Sequence, residues 1–143
     1  MICLPDVNLW IGLTSNRHIH HARAKAWLEG MEDTRIAFCR ITELGLLRLL
    51  TNQHVMGEDV LAPPQAWLIY DAWRMDPRVD FLAEPPGLSE RWRELGERIA
   101  GGANAWTDAY MAAFAAVSNA TLVIFDRRLN TRVWLRCSTC YKV

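Results

Sequence analysis

Lysine is nearly missing from this chain: Lys25 and Lys142 are the only two, and every other basic residue is an arginine. An excess of charge of either sign is lacking too, since sixteen basic residues face sixteen acidic ones. Contact with nucleic acid therefore has to come from a local patch of forked guanidinium groups and not from the field of the whole molecule. No apolar run is long enough to span a bilayer, and no basic stretch precedes the apolar N-terminus, so a cytoplasmic protein without a membrane segment is expected. Repeats, low-complexity tracts and linkers are absent, and 143 residues at 51% hydrophobic content suit one domain, residues 1–143, with a sizeable core. Cysteine is sparse. Cys3 and Cys39 fall in expected strands, and Cys137-Ser138-Thr139-Cys140 is a lone CxxC with no second pair or nearby histidine, a poor zinc site that reads as reduced thiols.

The chain is organised around its beginning, where the apolar run Ile2-Cys3-Leu4 meets Asp6 and an apolar helical pattern follows at Val7, Trp10 and Ile11. Asp6 is thus expected where a buried strand ends and a helix starts, a costly place for a lone charge. In open α/β sheets the ligand crevice lies at the carboxyl ends of the strands, so an acid there is either a helix cap or part of a site.

A turn at Thr14-Ser15-Asn16 closes this first helix, and a second is expected over residues 18–30 with Ala22, Ala26 and Trp27 on its apolar face. His18, His20 and His21 at its start have no carboxylate or cysteine at fixed helical spacing and read as solvated or capping groups, not metal ligands. Residues 35–39 form a short β-prone strand, and an apolar helix follows over residues 41–52. Glu43 lies in its first turn, a position the helix dipole favours, with Thr42 as a candidate cap. Residues 53–62 read as a loop. Pro63 and Pro64 open a helix that runs to about residue 76, residues 79–82 form a third strand, and Pro85-Pro86-Gly87 breaks the chain before an amphipathic helix over residues 89–99.

After a flexible connection at Gly101-Gly102-Ala103-Asn104, residues 106–117 are apolar almost all round, which marks a buried helix. Its single charge is Asp108, with no Lys or Arg within a helical turn on either side. A cap explains the location of that carboxylate but not its burial. Residues 121–125 are the clearest buried strand, with Asp126 at its end followed by Arg127 and Arg128, and residues 133–136 read as a last strand. Strands that alternate with helices imply an α/β fold, a three-layer sandwich with a mainly parallel central sheet flanked by helices.

Of the sixteen acids, only Asp6, Glu43, Asp108 and Asp126 abut strongly apolar runs at strand ends or helix starts. Strands that share one carboxyl edge let these four converge. Like charges gathered in a dry crevice destabilise a fold unless a cation holds them, and all-oxygen ligands select a hard ion, Mg²⁺ or Mn²⁺.

Pro5-Asp6-Val7-Asn8, Thr42-Glu43-Leu44, Trp106-Thr107-Asp108-Ala109-Tyr110-Met111-Ala112-Ala113-Phe114-Ala115 and Phe125-Asp126-Arg127 together resemble, in order and spacing, the motifs of PIN-domain ribonucleases, in particular VapC-type toxins of bacterial toxin-antitoxin modules. One departure is Ile124, at a place where many relatives carry a hydroxyl residue. The resemblance implies a PIN-like fold and a Mg²⁺- or Mn²⁺-dependent endoribonuclease whose metal ligands and catalytic acids are Asp6, Glu43, Asp108 and Asp126. It further implies an RNA substrate, a cognate antitoxin protein and a homodimer. Asn8 and Thr107 are candidates for hydrogen bonds around the acids, and Arg48, Arg127 and Arg128 for contacts to RNA phosphates. Two rival readings are weighed. A haloacid-dehalogenase-like phosphatase also places an Asp after its first strand, but it needs a second Asp where this chain has Asn8, and a suitably placed Lys. A catalytically silent PIN-like module that binds RNA or protein is argued against by retention of all four acids. Seven tryptophans exceed what one core of this size hides, which points to an interface.

Overall fold

A computed structural model describes residues 1–31, 33–125 and the backbone of 140–142. The chain runs β1 (Ile2–Pro5), α1 (Val7–Thr14), α2 (His21–Glu29), β2 (Arg35–Phe38), α3 (Arg40–Leu50) and α4 (Gln53–Met56). After a 3₁₀ turn (Gly57–Asp59) come α5 (Pro63–Met75), β3 (Val79–Phe81), α6 (Leu88–Gly96), α7 (Ala105–Val117), β4 (Thr121–Ile124) and β5 (Cys140–Lys142). The five strands form one sheet in the order β3-β2-β1-β4-β5, with every pairing parallel. Among the described residues no helix is long and apolar enough to cross a membrane.

Both faces of this sheet are buried, and the two-residue period of the strands divides their side chains between two cores. Cys3, Ile36, Phe38 and Val123 point to the side covered by α1, α2, α3 and α5. Leu4, Ala37, Leu122 and Ile124 point to the side covered by α6 and α7. The first core is anchored by Trp10 of α1, stacked on Phe38 at 3.6 Å between ring centroids with 12° between planes. The second is built on α7, whose residues from Ala109 to Ala115 are all buried; its alanines let the helix lie close to the sheet. The expected three layers are therefore observed.

Three local expectations change. The helix expected from residue 18 begins at His21, because the His18 N–H bonds the Ser15 carbonyl at 3.1 Å and the His21 N–H bonds the His18 carbonyl at 2.9 Å, which makes consecutive turns. The expected loop 53–62 contains α4, started by the Asn52 side chain, which accepts the His54 N–H at 2.9 Å. The tail that carries the CxxC contributes β5, which pairs in parallel with β4. The strand expected at residues 133–136 lies outside the described residues, as do Cys137, Asp126, Arg127 and Arg128.

The strand order sets where a crevice opens. From β1 the chain passes to β2 and β3 on one side, whereas β4 and β5 lie on the other. The carboxyl ends of β1 and β4 therefore flank the topological switch point, the position at which α/β sheets bind ligands. The two strand ends are tied there by a bond from the Asp6 N–H to the Val123 carbonyl at 2.9 Å.

How near α3 comes to α1 depends on Gly45. A Cβ at this position would lie 2.6 Å from Val7 Cγ2, and a β-branched valine on a helix has little rotamer freedom with which to withdraw. Gly45→Ala is expected to lower stability by about 1 kcal/mol, since overpacking costs about 1–3 kcal/mol and the gain in helix propensity returns about 1 kcal/mol at most. Urea unfolding checks this. Addition of Val7→Ala is expected to recover most of the loss, a recovery that a general defect of α3 does not allow.

Candidate active site

Asp6 follows β1 directly and is the N-cap of α1; its Oδ1 accepts the Leu9 N–H at 2.7 Å. The cap and site readings of this residue are compatible, because capping orients a half-buried carboxylate at the switch point. Glu43 stands in the first turn of α3, immediately beyond β2. The start of that helix is set by a reciprocal box in which the Thr42 hydroxyl accepts the Cys39 N–H at 3.0 Å. The Glu43 N–H in turn bonds the Cys39 carbonyl at 3.0 Å. Gly45, two residues on, brings α3 against Val7, the neighbour of Asp6, so the same close contact that seats the helices draws the two acids to one edge.

Asp108 arrives from the opposite layer. Its N–H bonds the Asn104 carbonyl at 2.9 Å in the first turn of α7. Met111, three residues later and hence on the same side of the helix, has its sulfur 3.7 Å from the thiol of Cys39, the residue that follows β2. Asp108 is one turn nearer the helix start, so it lies beyond the strand ends, above the crevice and half-buried.

The fold thus brings three of the four sequence-predicted acids to one edge of the sheet, and Asp126, two residues past β4, lies outside the described residues. Among the described residues no three His, Cys, Asp or Glu side chains gather closely enough to hold a metal ion. Asn8 and Thr107 are exposed beside Asp6 and Asp108. Arg48 is exposed in the last turn of α3, five residues past Glu43. At helical geometry that is about 7.5 Å along the axis and about 140° around it, so Arg48 and Glu43 occupy different sides of the helix. The histidines bond the backbone: His18 Nδ1 accepts the His20 N–H at 3.2 Å, and His21 Nδ1 lies 2.8 Å from the Gly12 carbonyl oxygen.

Two partners of Glu43 were not singled out from sequence. Its side chain is only 8% exposed, and its Oε2 is ion-paired to Nη1 of Arg40. The Tyr70 hydroxyl, from α5, hydrogen-bonds it from the interior. Arg40 was legible as a cation three residues before the acid on a helix. Tyr70 carried no local signal, since only packing of α5 on α3 brings it there.

Burial first, then the hydrogen bond and negative charge of Glu43, push the Tyr70 pKa up to about 12. The unfolded value is about 10, so the native state keeps this proton longer. Stability from this group is complete below about pH 10 and drains as pH rises toward about 12. Wild type is therefore expected to lose more stability than Tyr70→Phe between about pH 9 and about pH 11, as read by urea unfolding at the two values.

Comparison with known proteins gives the family of the chain. The sequence matches the family described as PIN domain over residues 3–133. It is 39% identical over 128 residues to Ribonuclease VapC41 of Mycobacterium tuberculosis, covering 86% of this chain and 88% of the relative. It is 30% identical over 139 residues to Ribonuclease VapC38 of the same organism, covering 96% and 94%. In fold it is similar to a chain of VapBC2 from Rickettsia felis bound to a DNA fragment from its promoter, with a TM-score of 0.64 at 16% identity over 100% of this chain and 98% of that one. With the acids placed at the switch point of a parallel sheet and this likeness along nearly its whole length, the chain belongs to the PIN-domain family and, within it, to the VapC group.

Proposed function

We propose that this protein is a divalent-metal-dependent endoribonuclease, the toxin of a toxin-antitoxin module. The observation that carries the reading is the arrival of Asp6, Glu43 and Asp108, from both helical layers, at the carboxyl edge of one parallel sheet. The chemistry of this donor set fits a hard cation, because every candidate ligand is a carboxylate oxygen. Asp6, Glu43, Asp108 and Asp126 would hold Mg²⁺ or Mn²⁺, which supplies Lewis-acid activation of water for phosphodiester hydrolysis and offsets charge on the phosphate.

The rest of the work falls to the chain itself. The cap on α1 fixes the direction of the Asp6 carboxylate, and the seat of Glu43 against Tyr70 fixes that of the second acid, so both groups are oriented before substrate arrives. Asp108 or Glu43 orients the attacking water. Asn8 and Thr107, exposed beside two of the acids, donate hydrogen bonds within the site, and Arg48, Arg127 and Arg128 hold RNA phosphates along the approach.

The partners proposed are a small antitoxin protein and a second copy of the chain. Support for the former is that solved proteins of the same fold are toxin-antitoxin complexes. Support for the latter is the set of large apolar side chains left in solvent on α3, α4 and α5: Leu44, Val55, Trp67 and Leu68. Sequence composition pointed the same way, and Trp67 and Trp106 are indeed exposed, at 48% and 58%.

Purified protein freed of its partner is expected to cleave RNA with Mg²⁺ or Mn²⁺ and to stop on addition of EDTA. Asp6→Asn and Asp108→Asn are each expected to reduce the rate by roughly 100-fold or more, beyond the loss of about 10- to 100-fold typical of a residue that only supports a ligand. Cleavage that persists in EDTA, or in both variants, sinks the metal reading. For assembly, light scattering at tens of micromolar is expected to give a dimer, and Leu68→Glu to give a monomer that remains folded by circular dichroism.

A further inference from the structure

Glu43 and Arg40 form an asymmetric pair. The Glu43 side chain is only 8% exposed, whereas the guanidinium side chain is 68% exposed and reaches it from the solvent side. A buried carboxylate needs a cation beside it, because one hydrogen bond from the Tyr70 hydroxyl does not by itself offset the desolvation of a full charge. An exposed arginine does not need the carboxylate, since water solvates it wherever it turns. While paired to Glu43 the guanidinium also lies over Phe81, its carbon 4.9 Å from the ring centroid at the carboxyl end of the neighbouring strand β3, a contact that does not depend on the carboxylate. Glu43 is directed toward Arg40 and Tyr70, consistent with the finding that the described acids do not gather into a chelate.

We infer that Arg40 is an internal counter-ion that competes with the divalent metal for Glu43, neutralising the acid in the metal-free protein and giving it up when the ion binds. Guanidinium and metal ion repel each other and compete for one carboxylate, whose Oε2 Arg40 already holds, so each weakens the other's hold on Glu43. The released fork keeps its place over Phe81 with its donors free for a substrate phosphate. Arg40 in this role is a positioning residue, since it acts through Glu43. The inference rests on the reading of Glu43 as a metal ligand, and its test separates the two.

The probe is Mn²⁺ alone, without RNA, titrated by calorimetry into the metal-free protein. Arg40→Ala is expected to bind Mn²⁺ about fivefold more tightly than wild type, the scale of a lost ion pair with one exposed partner. Its thermal melt in EDTA is expected to lie below that of wild type, because Glu43 is left uncompensated. Arg40→Gln, which removes the charge but keeps a polar side chain, is expected to show the same gain, and Arg91→Ala, which removes an i, i+3 ion pair with Glu94 on α6, none. In a Glu43→Gln background the gain from Arg40→Ala is expected to vanish, which distinguishes competition for this carboxylate from a general loss of positive charge. If Glu43→Gln weakens Mn²⁺ binding but Arg40→Ala and Arg40→Gln leave it unchanged or weaken it, the counter-ion role is wrong and the metal site stands. If Glu43→Gln has no effect, or wild type takes up no Mn²⁺, the assignment of Glu43 falls and this inference falls with it.

Discussion

The charge of Glu43 is the constraint around which this edge of the protein is arranged. A carboxylate shut off from water at the end of a buried strand destabilises a fold unless each of its neighbours favours the ionised form. Here a guanidinium covers it from outside and a phenol hydroxyl from inside, and the latter's own ionisation is displaced upward, first by burial and then by this carboxylate. The Thr42 and Cys39 box decides where α3 starts and therefore where this acid stands. Gly45 decides how closely the helix approaches α1 and therefore how near the acid comes to Asp6. A small set of backbone decisions thus places this charge and the two groups that cover it.

The sheet supplies the frame for this. All strands are parallel, so their carboxyl ends lie at one edge, and covering both faces requires helices in two layers. Asp6 and Glu43 come from the layer of α1 and α3, and Asp108 from that of α7. Alanines let α7 lie flat on the sheet, and its Tyr110 hydroxyl is tied to Glu84 Oε1 at 2.7 Å, which anchors the helix laterally. Burial first, and then that bond, hold the Tyr110 proton well above its usual range. Support from both layers fixes where each of these acids stands at the carboxyl edge of the sheet.

Sequence reading and structure diverge where local pattern is weakest. Short elements such as α4 depend on one side-chain cap at Asn52, and β5 has three residues whose strand character comes from pairing with β4. Neither has enough length for periodicity to speak. The three histidines near residue 20 read from sequence as solvated or capping groups, and their partners in the turn could not be named from it. In space two of their rings serve the backbone of a turn, and burial, followed by the proximity of His20 and His21, lowers the pKa of His18.

The sequence by itself determined the layered α/β fold, the long helices and the identity of the acids at strand ends. Those features follow from alternation of apolar period and from the rarity of a charge beside a buried run, which any segment reveals alone. Only the tertiary structure decided which partners those acids have. Tyr70 reaches Glu43 from another helix, Met111 locates Asp108 by touching Cys39 across the sheet, and Gly45 is required by Val7 of a helix that precedes it by a whole strand. Contacts of this kind depend on how layers stack, and a stacking distance is written in no single stretch of the chain.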